Sequence, residues 1–171
     1  MTAMLHQLRD DRRGVATIEF ALLSVLFFFV MTAGLDIGMW YQQRLRLDSA
    51  VEQGGMIAFN TRTNVNATSL ASYVRSAAKL GAPPTVTVTC NGGACVNESA
   101  GPPAVTRSCA CIAGSAPTFT AAACNATCGD GSLAGYYMKI NAVATANTML
   151  VPTAMLGGMM TQTRAALVRL Q

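Results

Sequence analysis

GVATIEFALLSVLFFFVMTAGL, residues 14–35, is an apolar run broken by a single acid, Glu19, and preceded by Arg12 and Arg13. From Phe20 to Leu35 no side chain ionises. Counted from Val15, the run as a helix covers about 30 Å, the thickness of one bilayer core. The reading is a membrane span over residues 15–36. A cleavable secretory signal is the first competitor. Its apolar region is shorter, and its cleavage site needs small residues, whereas Met31 stands where one is wanted before Ala33. Residues 1–14 form a short leader with Arg9, Arg12 and Arg13 against Asp10 and Asp11. Positive charge beside the span holds this end in the cytoplasm, although Arg44 and Arg46 on the far side weaken that bias.

Working outward, the span predicts its own continuation. Residues 37–60 contain no proline, and Leu47, Val51, Gly54, Gly55 and Ala58 fall near one face of a helix. The expectation is one continuous helix whose second half is amphipathic, weakened or kinked at Gly54-Gly55. Asn66 or Thr68 caps a second helix running from Ala67 to Leu80, ended by Gly81 and Pro83-Pro84.

Beyond it the period changes from that of a helix to that of a strand. Thr85 to Cys90 (TVTVTC) alternates, and Tyr136 to Thr148 alternates more clearly, with Tyr136, Met138, Ile140, Ala142, Ala144 and Ala146 on one face. Thr161 to Leu170 reads as a further strand. Met149 to Met160 reads as an apolar loop. The fold class is α+β: a long N-terminal helix, a second short helix, then a small antiparallel sheet with a disulfide-rich insertion. The extracytoplasmic domain is residues 61–171, with the insertion at 90–135 and strand-like pieces only around Val105 and Phe119.

The chain has 171 residues, 12% of them charged, and a formal net charge of +4. Its mean hydropathy is +0.36. No basic block interleaved with aromatics points to nucleic acid. The six cysteines, Cys90, Cys95, Cys109, Cys111, Cys124 and Cys128, cluster after the span, which suggests disulfides in an oxidising compartment. Their spacing lacks the paired C-x2-C knuckles of structural zinc sites, and it does not choose among the possible pairings. The single histidine, His6, lies in the leader, so no histidine-based catalytic or metal constellation forms. No cofactor, metal or small-molecule substrate is expected. Asp130, in Cys128-Gly129-Asp130-Gly131, reads as turn chemistry. The sequons at Asn66, Asn97 and Asn125 read as incidental.

The chemistry concentrates at Glu19. A carboxylate in hydrocarbon costs about 2–3 kcal/mol unless it is partnered or snorkels to the headgroups. Arg12-Arg13-Gly14 followed by Val15 resembles the prepilin processing motif of type IV pilin-like proteins, cut after the glycine. The longer stretch RRGVATIEFALLSVLFFFVMTAGLDIGMWYQQRLRLDSAVEQGG resembles the opening of TadE-like proteins, minor pseudopilins of the Tad (Flp) tight-adherence pilus system. The Cys-rich segment lies outside that signature.

The resemblance implies a non-enzymatic assembly component. Gly14 and Val15 are its processing site, and Glu19 pairs with the α-amine that cleavage creates on a neighbouring subunit. It further implies, as partners, the prepilin peptidase, other minor pseudopilins, the major Flp pilin and the inner-membrane assembly platform. The location it implies is a single-pass one, with the N-terminus cytoplasmic and the domain periplasmic. Gly34 and Gly38 are spaced for close helix packing. Asp36 is expected as a boundary charge open to interfacial water, with Trp40 and Tyr41 as interfacial anchors. The alternative reading is an anchored binding or adhesion protein whose disulfide-rich loops make the contact. A secreted hydrolase is disfavoured, because no base accompanies the abundant Ser and Thr.

Overall fold

The computed structural model describes residues 12–62, 65–95, 108–146 and 161–171, with side chains from Val15 onward. The leader before residue 12, Asn97, Val105 and the Met149 to Met160 loop lie outside the described residues.

Helix α1 is Arg12–Asn60, 49 residues without a proline, roughly 70 Å long. Its apolar half packs on no other described residue: Phe20, Leu22, Phe28 and Phe29 are all exposed. Its second half buries the stripe Leu47, Ala50, Val51, Gly54 and Ala58. The glycine pair does not break the helix. It marks where other elements come closest, since a Cβ on Gly55 would lie 3.3 Å from Val168 Cγ2.

Helix α2, Ala67–Ala77, begins where Asn66 Oδ1 accepts a hydrogen bond from the Ser69 amide at 3.0 Å. It stops short of the expected Leu80, because Lys79 takes a left-handed backbone (φ 47°) that helical geometry cannot continue. Leu70 and Val74 are its buried residues.

A four-stranded antiparallel sheet carries β1 (Thr85–Cys90), β2 (Gly93–Ala94), β5 (Tyr137–Thr145) and β6 (Thr161–Arg169) in the order β2-β1-β5-β6. Strand β1 pairs with β5 from Thr85↔Val143 to Cys90↔Met138, and β6 pairs with β5 from Tyr137↔Arg169 to Thr145↔Thr161. The predicted inward face holds, but Tyr137 on the opposite face, expected in water, is buried as well, beside Phe119. Tyr136, Met138, Ile140, Ala142, Ala144 and Ala146 are all buried, most of them in one core with Leu47, Val51, Leu70, Val74 and Val86. Both helices therefore cover one face of the sheet, as amphipathic elements must to bury their apolar sides. The fold is α+β.

The Cys-rich region forms a separate hairpin, β3 (Cys109–Ala113) with β4 (Thr118–Ala122). Two disulfides, Cys109–Cys124 and Cys111–Cys128, hold it, and Cys90–Cys95 closes the β1–β2 end. Its own core is small: Cys109, Cys128 and Ala134.

Candidate functional site on the long helix

The polarity of the domain relative to α1 follows from three contacts with β6. Gln162 Nε2 donates to the Trp40 carbonyl at 3.1 Å. Arg164 Nε lies 3.1 Å from Asp48 Oδ1. Val168 faces Gly55. Strand β6 thus runs parallel to α1, β5 runs back, and β1 runs forward. The β5–β6 end that holds Thr145 and Thr161 lies nearest the apolar half. The opposite end, with Cys90, Tyr137 and the disulfide-held hairpin, points away from it.

Along the apolar half, Val15 is 56% exposed, and Glu19 stands exposed one turn further on, on the same side. Gly14 lies inside α1, so the helix begins upstream of the Gly14–Val15 bond. At Gly34 and Gly38 an added Cβ would meet no atom within 4 Å. These glycines therefore leave open helix surface, with no packing partner among the described residues.

Asp36 departs from expectation. It is only 7% exposed rather than open to water. It falls on the stripe of α1 that continues through Leu47, Gly54 and Ala58, and this stripe is turned towards the domain. Trp40 is half-buried beside it, and Arg44 lies over the Trp40 ring at 5.7 Å. The predicted aromatic anchor is therefore also where β6 attaches.

At the far end, Asn91 joins the hairpin to the sheet. Its Oδ1 accepts from the Tyr137 amide at 2.9 Å, and its Nδ2 donates to the Ser108 carbonyl. The Phe119 and Tyr137 rings stand 6.2 Å apart, and the amides and carbonyls of Ala110 and Gly135 exchange hydrogen bonds. Asp130 makes the expected turn contact. Hydrogen bonds from the Ser132 hydroxyl and amide hold its carboxyl below the usual range. No cluster of three or more His, Cys, Asp or Glu able to hold a metal occurs among the described residues.

Asn91 and Gln162 are the positions that residue patterns passed over. Asn91-Gly92 carries a recognisable hairpin signal, since both residues tolerate positive φ, here 48° and 80°. Gln162 gives no such signal, because its burial depends on where the strand docks.

Residues 14–56 match the model of the TadE-like protein family. The match starts at Gly14, takes in Glu19, Gly34, Asp36 and Gly38, and ends just past Gly54-Gly55. It thus covers most of α1 and stops before α2. It associates the chain with Tad pilus systems. No curated protein and no solved structure matches the chain. The sheet and the disulfide-held hairpin lie outside the TadE-like match.

Proposed function

We propose that the chain is a minor pseudopilin-like assembly subunit of a Tad apparatus, anchored by α1 in the inner membrane with its domain in the periplasm. In this reading residues 1–14 are the cytoplasmic leader, removed by a prepilin peptidase after Gly14. Residues 15–36 cross the bilayer, 37–60 carry the helix onward and 61–171 form the extracytoplasmic domain. The chain is a substrate of the peptidase and not a catalyst. The observation that carries the proposal is the helix itself. Its apolar half is covered by no other described residue, carries one exposed acid, and lies within the TadE-like match.

The mechanism follows from the cost of that acid. An ionised carboxylate at this depth is unfavourable without a partner. Cleavage between Gly14 and Val15 creates a cationic amine one turn away on each chain. Within one chain the two lie on the same helix face. Between chains, an axial shift brings the amine of one subunit to Glu19 of the next, so that exchanging the intrachain contact for this one links neighbouring helices in a single register. Because α1 begins before Gly14, the peptidase must unwind the first turn, a helix end that opens at low cost. Gly34 and Gly38 allow neighbouring helices to approach closely on the same assembly surface. The partners in this proposal are other minor pseudopilins, the major Flp pilin and the assembly platform.

The test is N-terminal sequencing and intact mass of membrane-extracted protein, with and without prepilin peptidase. A mature chain beginning at Val15 only when the peptidase is present supports the reading. A leader retained through assembly overturns it. Glu19→Ala should leave insertion intact and reduce piliation, and normal piliation would remove Glu19 from the mechanism. A second reading, an anchored binding protein, is favoured by one observation: the disulfide-held hairpin occupies the end of the domain farthest from the apolar helix. If deleting residues 108–135 abolishes surface attachment while fibres still form, that reading gains the hairpin as its contact site.

A further inference from the structure

A shallow groove of about 470 Å³ runs between α1 and the end of α2, lined by Gln42, Leu45, Arg46, Ser49, Ala77 and Lys79. The left-handed turn at Lys79 presents its carbonyl to Arg46, which donates from Nη1 at 3.3 Å. That bond holds one guanidinium at the rim, and Lys79 itself also lines the groove. Gln42 and Ser49 add neutral donors, and Leu45 and Ala77 supply an apolar floor. Arg44 lies one residue from Leu45, drawn over Trp40. Of the nearby carboxylates, Asp48 sits against Arg164, and neither Asp36 nor Glu52 lines the groove.

Position decides what such a groove meets. Gln42 lies roughly 9 Å along the helix from Asp36, where the apolar run ends. Side chains on an α-helix lean towards its N-terminus, which here is the membrane. The interfacial layer of a bilayer is itself about 5–7 Å deep on each side. Arg46 lies roughly 9 Å along the helix from the Trp40 interfacial anchor, so the guanidinium it holds against the Lys79 carbonyl stands within about one side-chain length of the level of lipid phosphates. We propose that this groove binds the phosphate headgroup of an anionic lipid in the leaflet from which the domain emerges, so that the domain is seated on the bilayer. The proposal rests on α1 being a membrane span, and it gives Arg44 and Arg46 a use that orientation alone does not.

Trp40 is the chain's single tryptophan, so it reports on its own lipid neighbours. The experiment places the full chain in nanodiscs containing phosphatidylcholine and phosphatidylglycerol, with one or the other lipid brominated on its upper acyl chain. Trp40 quenching is then read for each. The proposal expects brominated phosphatidylglycerol to quench more, with an apparent enrichment of about threefold or higher that falls with salt. Arg46→Gln combined with Lys79→Gln should remove the preference, while Arg75→Gln on the exposed side of α2 should keep it. Circular dichroism confirms that each variant is folded. Soluble glycerol phosphate should not compete at concentrations matching the lipid; competition would assign the groove to a free phosphate compound. Equal quenching by both lipids, or a preference unchanged in the double variant, overturns the proposal. No quenching by either lipid would instead overturn the membrane span.

Discussion

Gly54 of α1 and Val74 of α2 pack so closely that a Cβ on the glycine would stand 2.5 Å from Val74 Cγ2. Ile140 Cδ1 from the sheet closes the same space at 3.4 Å. Two helices and the sheet meet at a point where only a hydrogen fits. Alanine is favoured over glycine in a helix by about 1 kcal/mol, but overpacking a tight core costs about 1–3 kcal/mol. Val74 is β-branched and stiff, so it does not swing aside. Gly54→Ala should therefore lower the thermal midpoint of the detergent-solubilised chain, and Val74→Ala in the same background should restore part of the loss. An unchanged or raised midpoint for Gly54→Ala would mean that the helices separate without cost.

Gly34 and Gly38 make the opposite case. Among the described residues nothing stands within 4 Å of a Cβ at either position. Replacing both with alanine should leave the fold intact and raise helix stability by a few tenths of a kcal/mol up to about 1 kcal/mol per site. Replacing both with leucine should also spare the fold. If these glycines form a contact between subunits, crosslinking between chains in the membrane falls with the leucines and less with the alanines. Crosslinking that ignores both substitutions places the helix contact elsewhere.

Asn91 bears on how the hairpin is attached. Its side chain satisfies the Tyr137 amide and ties down Ser108, and its own φ is 48°. Losing a partner for a part-buried amide costs about 1–3 kcal/mol, and alanine in a left-handed backbone adds about 1–2 kcal/mol. Asn91→Gly should lose only the first term and Asn91→Ala both. Hydrogen exchange should rise at Tyr137 and across Cys109–Ala113 in both variants, more in alanine. Exchange confined to the β1–β2 turn would show that the Phe119–Tyr137 contact suffices.

The disulfide pairs predict separable stability. A core of Cys109, Cys128 and Ala134 is too small to hold a hairpin by burial. A disulfide closing a loop of about 15 residues contributes about 3 kcal/mol by chain-entropy estimates, and the Cys109–Cys124 and Cys111–Cys128 pairs close loops of that size. The main core has Leu47, Val51, Met138 and Ile140 fully buried, and the Cys90–Cys95 link at its edge spans a sequence separation of only 5. Reduction should release protection over residues 108–135 and leave β5, β6 and α1 protected. Loss of protection in β5 on reduction would mean that the two parts fold as one.

These contrasts explain how much the sequence could disclose. The membrane-length helix and strands β1, β5 and β6 were legible because each follows one strong period. Tyr136 to Ala146 alternates so regularly that every predicted inward residue is buried. The hairpin of β3 and β4 was not fully legible. Cys-Ala-Cys-Ile-Ala and Thr-Phe-Thr-Ala-Ala show little contrast between faces, and only Phe119 suggested a strand there. Gly54-Gly55 read as weakness because a sequence shows the propensity penalty and not the neighbour that requires it. Asp36 read as exposed because a sequence shows its place at the end of the apolar run and not the fold that buries it. At the candidate site, the Glu19 neighbourhood was legible from local chemistry, whereas Gln162 and the groove at Arg46 and Lys79 required the tertiary fold.

Gln162 gives the sharpest test of how the sheet is held to the helix. It is 6% exposed, and its Nε2 donates to the Trp40 carbonyl. Its Oε1 and the Trp40 Nε1 are both buried and without a hydrogen-bond partner among the described residues. The Trp40 carbonyl keeps its place in the helix ladder whatever stands at 162. Methionine has nearly the same length and removes the unpaired oxygen, relieving a penalty of about 1–3 kcal/mol against the loss of one bond worth about 1 kcal/mol. Gln162→Met should therefore leave stability unchanged or raise it by about 1 kcal/mol, while Gln162→Ala opens a cavity and costs about 1–3 kcal/mol. Denaturant melts of both variants in detergent decide the matter. If methionine destabilises as much as alanine, the carboxamide bond to Trp40, and not the packing around it, is what fixes β6 at the edge of the apolar helix.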